Sequence, residues 1–206
     1  MNLLEVNYLL IIIYILIWAA VITGALLIRK SNSFAVKGRK WILEKRIQQF
    51  KYPPFNILIK IWIKKKYLMT SSFFMLIIIP AAVMYFILGV LLLTPIISIY
   101  QGLVAGILIG SYRKGEMLWA VTIGIFEFGY WAFSGALGLS VTLKYILTDI
   151  SFTASFLFCF GNILNFYWIP LVICILINAF GETAGPRYLN IHGPISLEAL
   201  AGIKEN

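Results

Sequence analysis

The chain has 206 residues, of which 61% are hydrophobic and 12% charged, and its formal net charge is +9. Soluble domains average about 45–50% apolar and about 25% charged. The composition therefore excludes an ordinary soluble domain, a disordered chain and a secreted disulfide scaffold, and predicts an all-α, polytopic transmembrane helix bundle.

A spanning helix needs about 20 mostly apolar residues. Residues 7–28 supply the first such run, and Arg29-Lys30 closes it. Its N-terminal flank carries Glu5 and no positive charge, unlike a cleavable signal peptide. The basic stretch 29–66 comes next. Leu68 to Gly110 is then free of charge for 43 residues, room for two spans, read here as 69–92 and 95–112 with the turn at Thr94-Pro95. A fourth run covers 117–141, interrupted only by Glu127. The last apolar run, Phe152 to Phe180, exceeds one span. A span at 158–180 after an interfacial segment, or a kink near Pro170, would accommodate it. Residues 181–206 form a polar tail.

Residues 29–66 hold 12 of the 17 basic residues and a single acid, Glu44. The positive-inside rule puts such a loop in the cytoplasm. About five spans then place the N-terminus outside and the tail inside, in a cell membrane. Arg113 and Lys114 also fall inside, and only Lys144 falls outside. Leu43, Ile47 and Phe50 recur at helical spacing beside Lys40, Lys45, Arg46 and Lys51, which predicts an amphipathic helix ended by Pro53-Pro54. Together with Lys64, Lys65 and Lys66 it offers a surface for anionic lipid headgroups or a cytosolic partner rather than for nucleic acid.

Gly102, Gly106 and Gly110 make two small-xxx-small steps, a strip on which another helix can approach closely. The partner is either another helix of this chain or a second copy. Glu127 is the most informative residue. An intramembrane carboxyl is costly and normally faces protein or a water-filled cavity. Gly124, Ser134, Gly135 and Gly138 share its helix face, small residues that suit close packing, so it should point into the bundle. Candidate partners are Asn162, Asn165 and Gln101. It can be a neutral acid holding helices in register, or a proton- or ion-coupling site.

Cys159 and Cys174 lie about 22 Å apart along one helix and read as packed apolar side chains. His192, the only histidine, sits in the tail without metal-ligand spacing. No His-Glu-x-x-His motif occurs, and no span contains a histidine base for a serine hydrolase. Gly110 to Gly115 has the first spacing of a phosphate loop, but Glu116 and Met117 replace its Lys and Ser/Thr. The expectation is a non-catalytic protein with no metal and no cofactor.

The stretch from about 94 to 142 resembles the core of the stage II sporulation protein M family. Gln101-Gly102-Leu103-Val104-Ala105-Gly106 matches an Asn-Gly-x-x-x-Gly helix, with Gln for Asn. Gly124-Ile125-Phe126-Glu127 matches the end of a Pro-His-Gly-x-x-Glu segment, with Thr122-Ile123 in place of Pro-His. Gly135-Ala136-Leu137-Gly138-Leu139 matches a following Gly-rich pattern. The resemblance implies a membrane protein without a catalytic residue set. The family's namesake acts during engulfment in a membrane complex with cell-wall hydrolases, and members also occur in organisms that do not sporulate. The leading expectation is a structural or scaffold subunit of a membrane complex, with other membrane subunits or a second copy as partners. The alternative is a transporter or permease component that uses Glu127.

Overall fold

The computed structural model describes residues 3–112 and 114–183. The basic tail residues and His192 therefore lie outside the described residues, as does Arg113. Seven helices follow in order: α1 (Leu3–Arg29), α2 (Ser33–Gln49), α3 (Phe55–Ile63), α4 (Tyr67–Val90), α5 (Thr94–Ile109), α6 (Lys114–Leu147) and α7 (Phe152–Thr183). No strand occurs among the described residues, so the fold is an all-α bundle.

Four helices, α1, α4, α6 and α7, are long and apolar enough to cross a membrane. The sequence suggested five spans. The third, placed at 95–112, is the 16-residue helix α5. At about 24 Å it falls short of a hydrocarbon core of about 30 Å. Its turn also differs. The chain reverses at Leu91–Leu93, with Leu92 at φ 61°, and Pro95 sits in the first turn of α5. The Leu93 N–H donates to Leu88 O at 2.8 Å, which closes the end of α4. The last run is continuous from Phe152, and its irregularity is a π-helical turn at Ile163–Tyr167, ahead of Pro170.

Glycines set the helix directions. A Cβ on Gly102 would lie 2.5 Å from Ile17 O, one on Gly106 would strike Val21 O, and one on Gly110 would lie 2.7 Å from Ala25 Cα. Residue numbers rise together, so α1 and α5 run parallel, and the glycine strip packs within the chain. Helices α4 and α6 are also parallel. Gly89 faces Gly135 O, Gly138 faces Phe86 O, and the Thr142 hydroxyl donates to Val90 O at 2.6 Å. Helix α7 is antiparallel to α6, with Gly181 on Ile123, Gly129 on Cys174 and Ser140 on Cys159.

These directions gather the ends of α1, α5 and α7 and the starts of α4 and α6 at one end, with α2 and α3 across them. Arg29 Nη2 lies 2.8 Å from Met117 Sδ there, and the Trp62 indole donates to Thr183 O at 3.2 Å. This is the basic end of the bundle. At the opposite end the Tyr167 hydroxyl donates to Asn7 Oδ1 at 2.8 Å. Outward faces carry exposed Ile11, Ile15, Leu76, Val83, Ile96 and Leu164, the apolar exterior that lipid tolerates and water does not.

Helix α2 begins at Asn32, whose side chain accepts from Phe34 N at 3.0 Å and Ala35 N at 3.4 Å. Its buried residues are Ala35 and Ile42, packed on Ile107 and Leu108 of α5. The anticipated stripe is shifted: Leu43 and Phe50 are half-buried, while Ile47 is exposed. Phe34 and Trp41 also remain exposed, so the helix presents apolar groups away from the bundle as well as toward it.

Candidate functional site

Glu127 lies on α6, about 20 Å along the helix from its start at the basic end. The position is possible because α6 is the central helix, contacted by α1, α4 and α7. The carboxyl does not sit sealed between helices. It lines a cavity of about 250 Å³ beneath α2 and α3.

Five elements build the walls. Helix α2 gives Arg46, Gln49 and Phe50, α3 gives Phe55 and Leu58, and α4 gives Phe74. Helix α6 gives Glu127 and Tyr130, and α7 gives Asn178, Glu182 and Thr183. Asn178 and Glu182 are four residues apart, so they occupy one face of α7. Asn178 is only 2% exposed, and its Oδ1 has no hydrogen-bond partner among the described residues. Glu182 is exposed, placing it at the mouth, while Arg46 is half-buried. The rim is fixed by Thr183, whose hydroxyl meets Ser71 Oγ at 2.7 Å and donates to Ala179 O at 2.6 Å.

The two carboxyls act electrostatically on each other, and the Arg46 guanidinium acts on both. With all three groups ionised the cavity carries one uncompensated negative charge. Tyr112, in the turn after α5, also feels this cluster. Burial first, and Glu182 second, push its phenol above the ordinary range, so it stays neutral.

Beyond Tyr130 the interior turns aromatic. Trp131 stacks on Tyr85 with centroids 5.2 Å apart and planes 20° from parallel. Phe128 contacts Trp131 at 5.1 Å and Trp18 at 5.2 Å. This layer separates the cavity from the Gly135 and Gly138 crossings in the other half.

Asn162, Asn165 and Gln101 do not line the cavity. Asn162 is buried on the first half of α7, Asn165 is exposed in its π turn, and Gln101 is partly buried on α5. The reason is direction: α7 enters from the opposite end, so only its last turns reach the basic end. A Cβ on Gly124 would meet the Phe128 ring of its own helix, 3.3 Å from Cε2. Lys40, Lys45, Lys51, Lys64, Lys65 and Lys66 are exposed, whereas Arg46 turns inward. Cys159 and Cys174 are free, and both sit in helix contacts.

Sequence reasoning missed Asn178, Glu182, Tyr130 and Gln49. The available signal was the Asn178–Glu182 spacing, one helical turn before the polar tail. By hydropathy alone Glu182 belongs to that tail. Among the described residues no three metal-ligating side chains converge. The site offers hydrogen-bond acceptors, negative charge and aromatic walls.

No family model, curated protein or solved structure matches the chain. The class defined by fold and composition is an all-α bundle with four helices able to cross a membrane.

Proposed function

We propose that this chain is a multi-pass, non-catalytic subunit of a membrane complex, similar in kind to the stage II sporulation protein M family. The positive-inside rule orients its basic end toward the cytoplasm. The observation that carries the reading is the reach of Arg46. It belongs to the exposed basic helix α2, yet it lines the same cavity as Glu127. A cytosolic partner or anionic lipid that engages Lys40, Lys45 and Lys51 acts on the helix that caps the intramembrane carboxyl. Partner binding and the state of the cavity are then coupled through one rigid element.

The test is gentle detergent extraction from the native membrane, followed by size analysis and mass-spectrometric identification of co-purifying proteins. The reading expects stable partners with the native chain and their loss when Lys40, Lys45 and Lys51 are all changed to Gln. A lone monomer from the native membrane sinks it.

A second reading, a transport component, is favoured by the cavity being polar and reached through an exposed Glu182. It expects proton or cation flux in proteoliposomes that Glu127→Gln abolishes. Flux indifferent to that change excludes Glu127 as the coupling group.

A further inference from the structure

We infer that the Glu127 cavity is a binding site for the ammonium group of a small organic amine with an apolar body. The inference rests on the reading of this cavity as the working part of the protein, and it names the chemistry that would occupy it.

The cavity presents an unmet buried acceptor and two carboxyls, beside the donors of Arg46, Gln49 and Tyr130. Asn178 is 98% buried, and its Oδ1 is unpartnered among the described residues. Leaving a buried acceptor unmade costs about 1–3 kcal/mol, so the position suits a ligand that donates. The Glu127 and Glu182 carboxyls line the same space. An ammonium has three donors and no acceptor, which matches three acceptor groups.

Charge gives the same answer. A bound cation favours the ionised carboxyls, and with both ionised Arg46 offsets one and leaves one negative charge, the complement of a monovalent cation. Size and walls argue against a bare ion. About 250 Å³ is the liquid volume of about eight waters. Phe50, Phe74 and Tyr130 supply apolar and aromatic surface to that space. Aromatic faces attract cations and also cover hydrocarbon. The ammonium source is either a free amine or the amine headgroup of a lipid lying under α2.

The test uses the full chain in phosphatidylcholine nanodiscs, titrated with phenethylamine and, separately, with phenethyl alcohol as its uncharged counterpart. Ligand-observed NMR reads binding, and size exclusion with circular dichroism checks that each variant is folded. Saturable binding of the amine but not the alcohol is expected. Glu127→Gln, Glu182→Gln and Asn178→Leu should each weaken it about tenfold or more. Thr148→Ala, exposed just past the far end of α6, should leave it unchanged. Equal binding of the alcohol, absence of saturable amine binding, or amine binding unaffected by both glutamate changes overturns the inference. Because Glu182 lies at the mouth, its variant keeps the test decisive if Asn178→Leu misfolds. Displacement of the amine in phosphatidylethanolamine-containing nanodiscs supports the site with a lipid headgroup as source. Undiminished binding there supports it with a free amine. Failure of amine binding while protein partners still co-purify overturns this inference and leaves the subunit reading standing.

Discussion

Helix α6 meets its neighbours in two different ways along its length. Far from the basic end, Gly138 lies against Phe86 O of α4 and Gly135 against Thr94 at the start of α5, so almost no side chain separates the helices. Toward the basic end, Glu127 and Tyr130 of α6 face Asn178 and Glu182 of α7 across a cavity. In lipid, helices associate through van der Waals contact and hydrogen bonds rather than through hydrophobic burial. Small residues therefore give a closed, closely packed half, and larger polar residues hold helices apart and leave space. Around α6, helix backbones touch at one end and leave polar space at the other, while α1 and α5 stay closely packed through Gly106 and Gly110 at the basic end as well.

The sharpest way to break the comparison is to insert bulk into the closed half. Gly138→Leu would drive a side chain into the Phe86 carbonyl. Overpacking of this kind costs about 1–3 kcal/mol or more, so a large loss of monodisperse protein after extraction is expected. Gly115→Ala, with nothing within 4 Å of the added methyl, should have no such effect. A result in which both variants behave alike would show that the glycine contacts do not hold this half together.

A moderate effect is expected at the open half. Arg46→Gln leaves two carboxyls facing each other without their cation and loosens α2. Proteolysis in the segment 50–54 should accelerate, by an amount equivalent to about 1 kcal/mol of local stability. Adding Glu182→Gln should restore protection, because it removes the repulsion between the two carboxylates and returns the cavity to a single negative charge. Protection that does not recover would mean that α2 is held by packing on Ile107 and Leu108 instead. The smallest effect belongs to the rim. Ser71→Ala removes the contact with Thr183. Interhelical hydrogen bonds in membranes average about 0.6 kcal/mol, so a slight drop in thermal midpoint is expected. A drop as large as that of Gly138→Leu would move the main packing energy to this end.

Much of the fold was legible because lipid imposes simple arithmetic. Runs of apolar residues and the basic block at 29–66 announced the helices and grouped their ends. The Gly102–Gly110 strip announced a close contact, and α1 fills it because Gly24 matches it: a Cβ there would lie 2.5 Å from Leu103 O. Glu127 stood out as a lone carboxyl in an apolar run. Its partners did not, because they depend on depth. Asn162 and Asn165 are nearer to it in sequence, but an antiparallel α7 carries them to the other end. Arg46 reads as a surface cation by pattern, and only the position of α2 over the bundle turns it inward. The short α5 and the reversal at Leu92 also lie beyond hydropathy, which measures length and apolarity but not where a chain turns.

The π turn of α7 has a geometric consequence for all of this. Ser155, Cys159 and Asn162 form one buried stripe, and an unbroken helix would continue it through residue 166. Instead Phe166 is 54% exposed and Tyr167 is 6% exposed. One extra residue has been wound into the helix, which advances every later side chain by about 100°. Asn178 and Glu182 inherit that change of phase. Without it they would project along a different azimuth and α6 would face other side chains. The polar character of the basic end is thus set by a residue count made about 20 Å away along the helix axis.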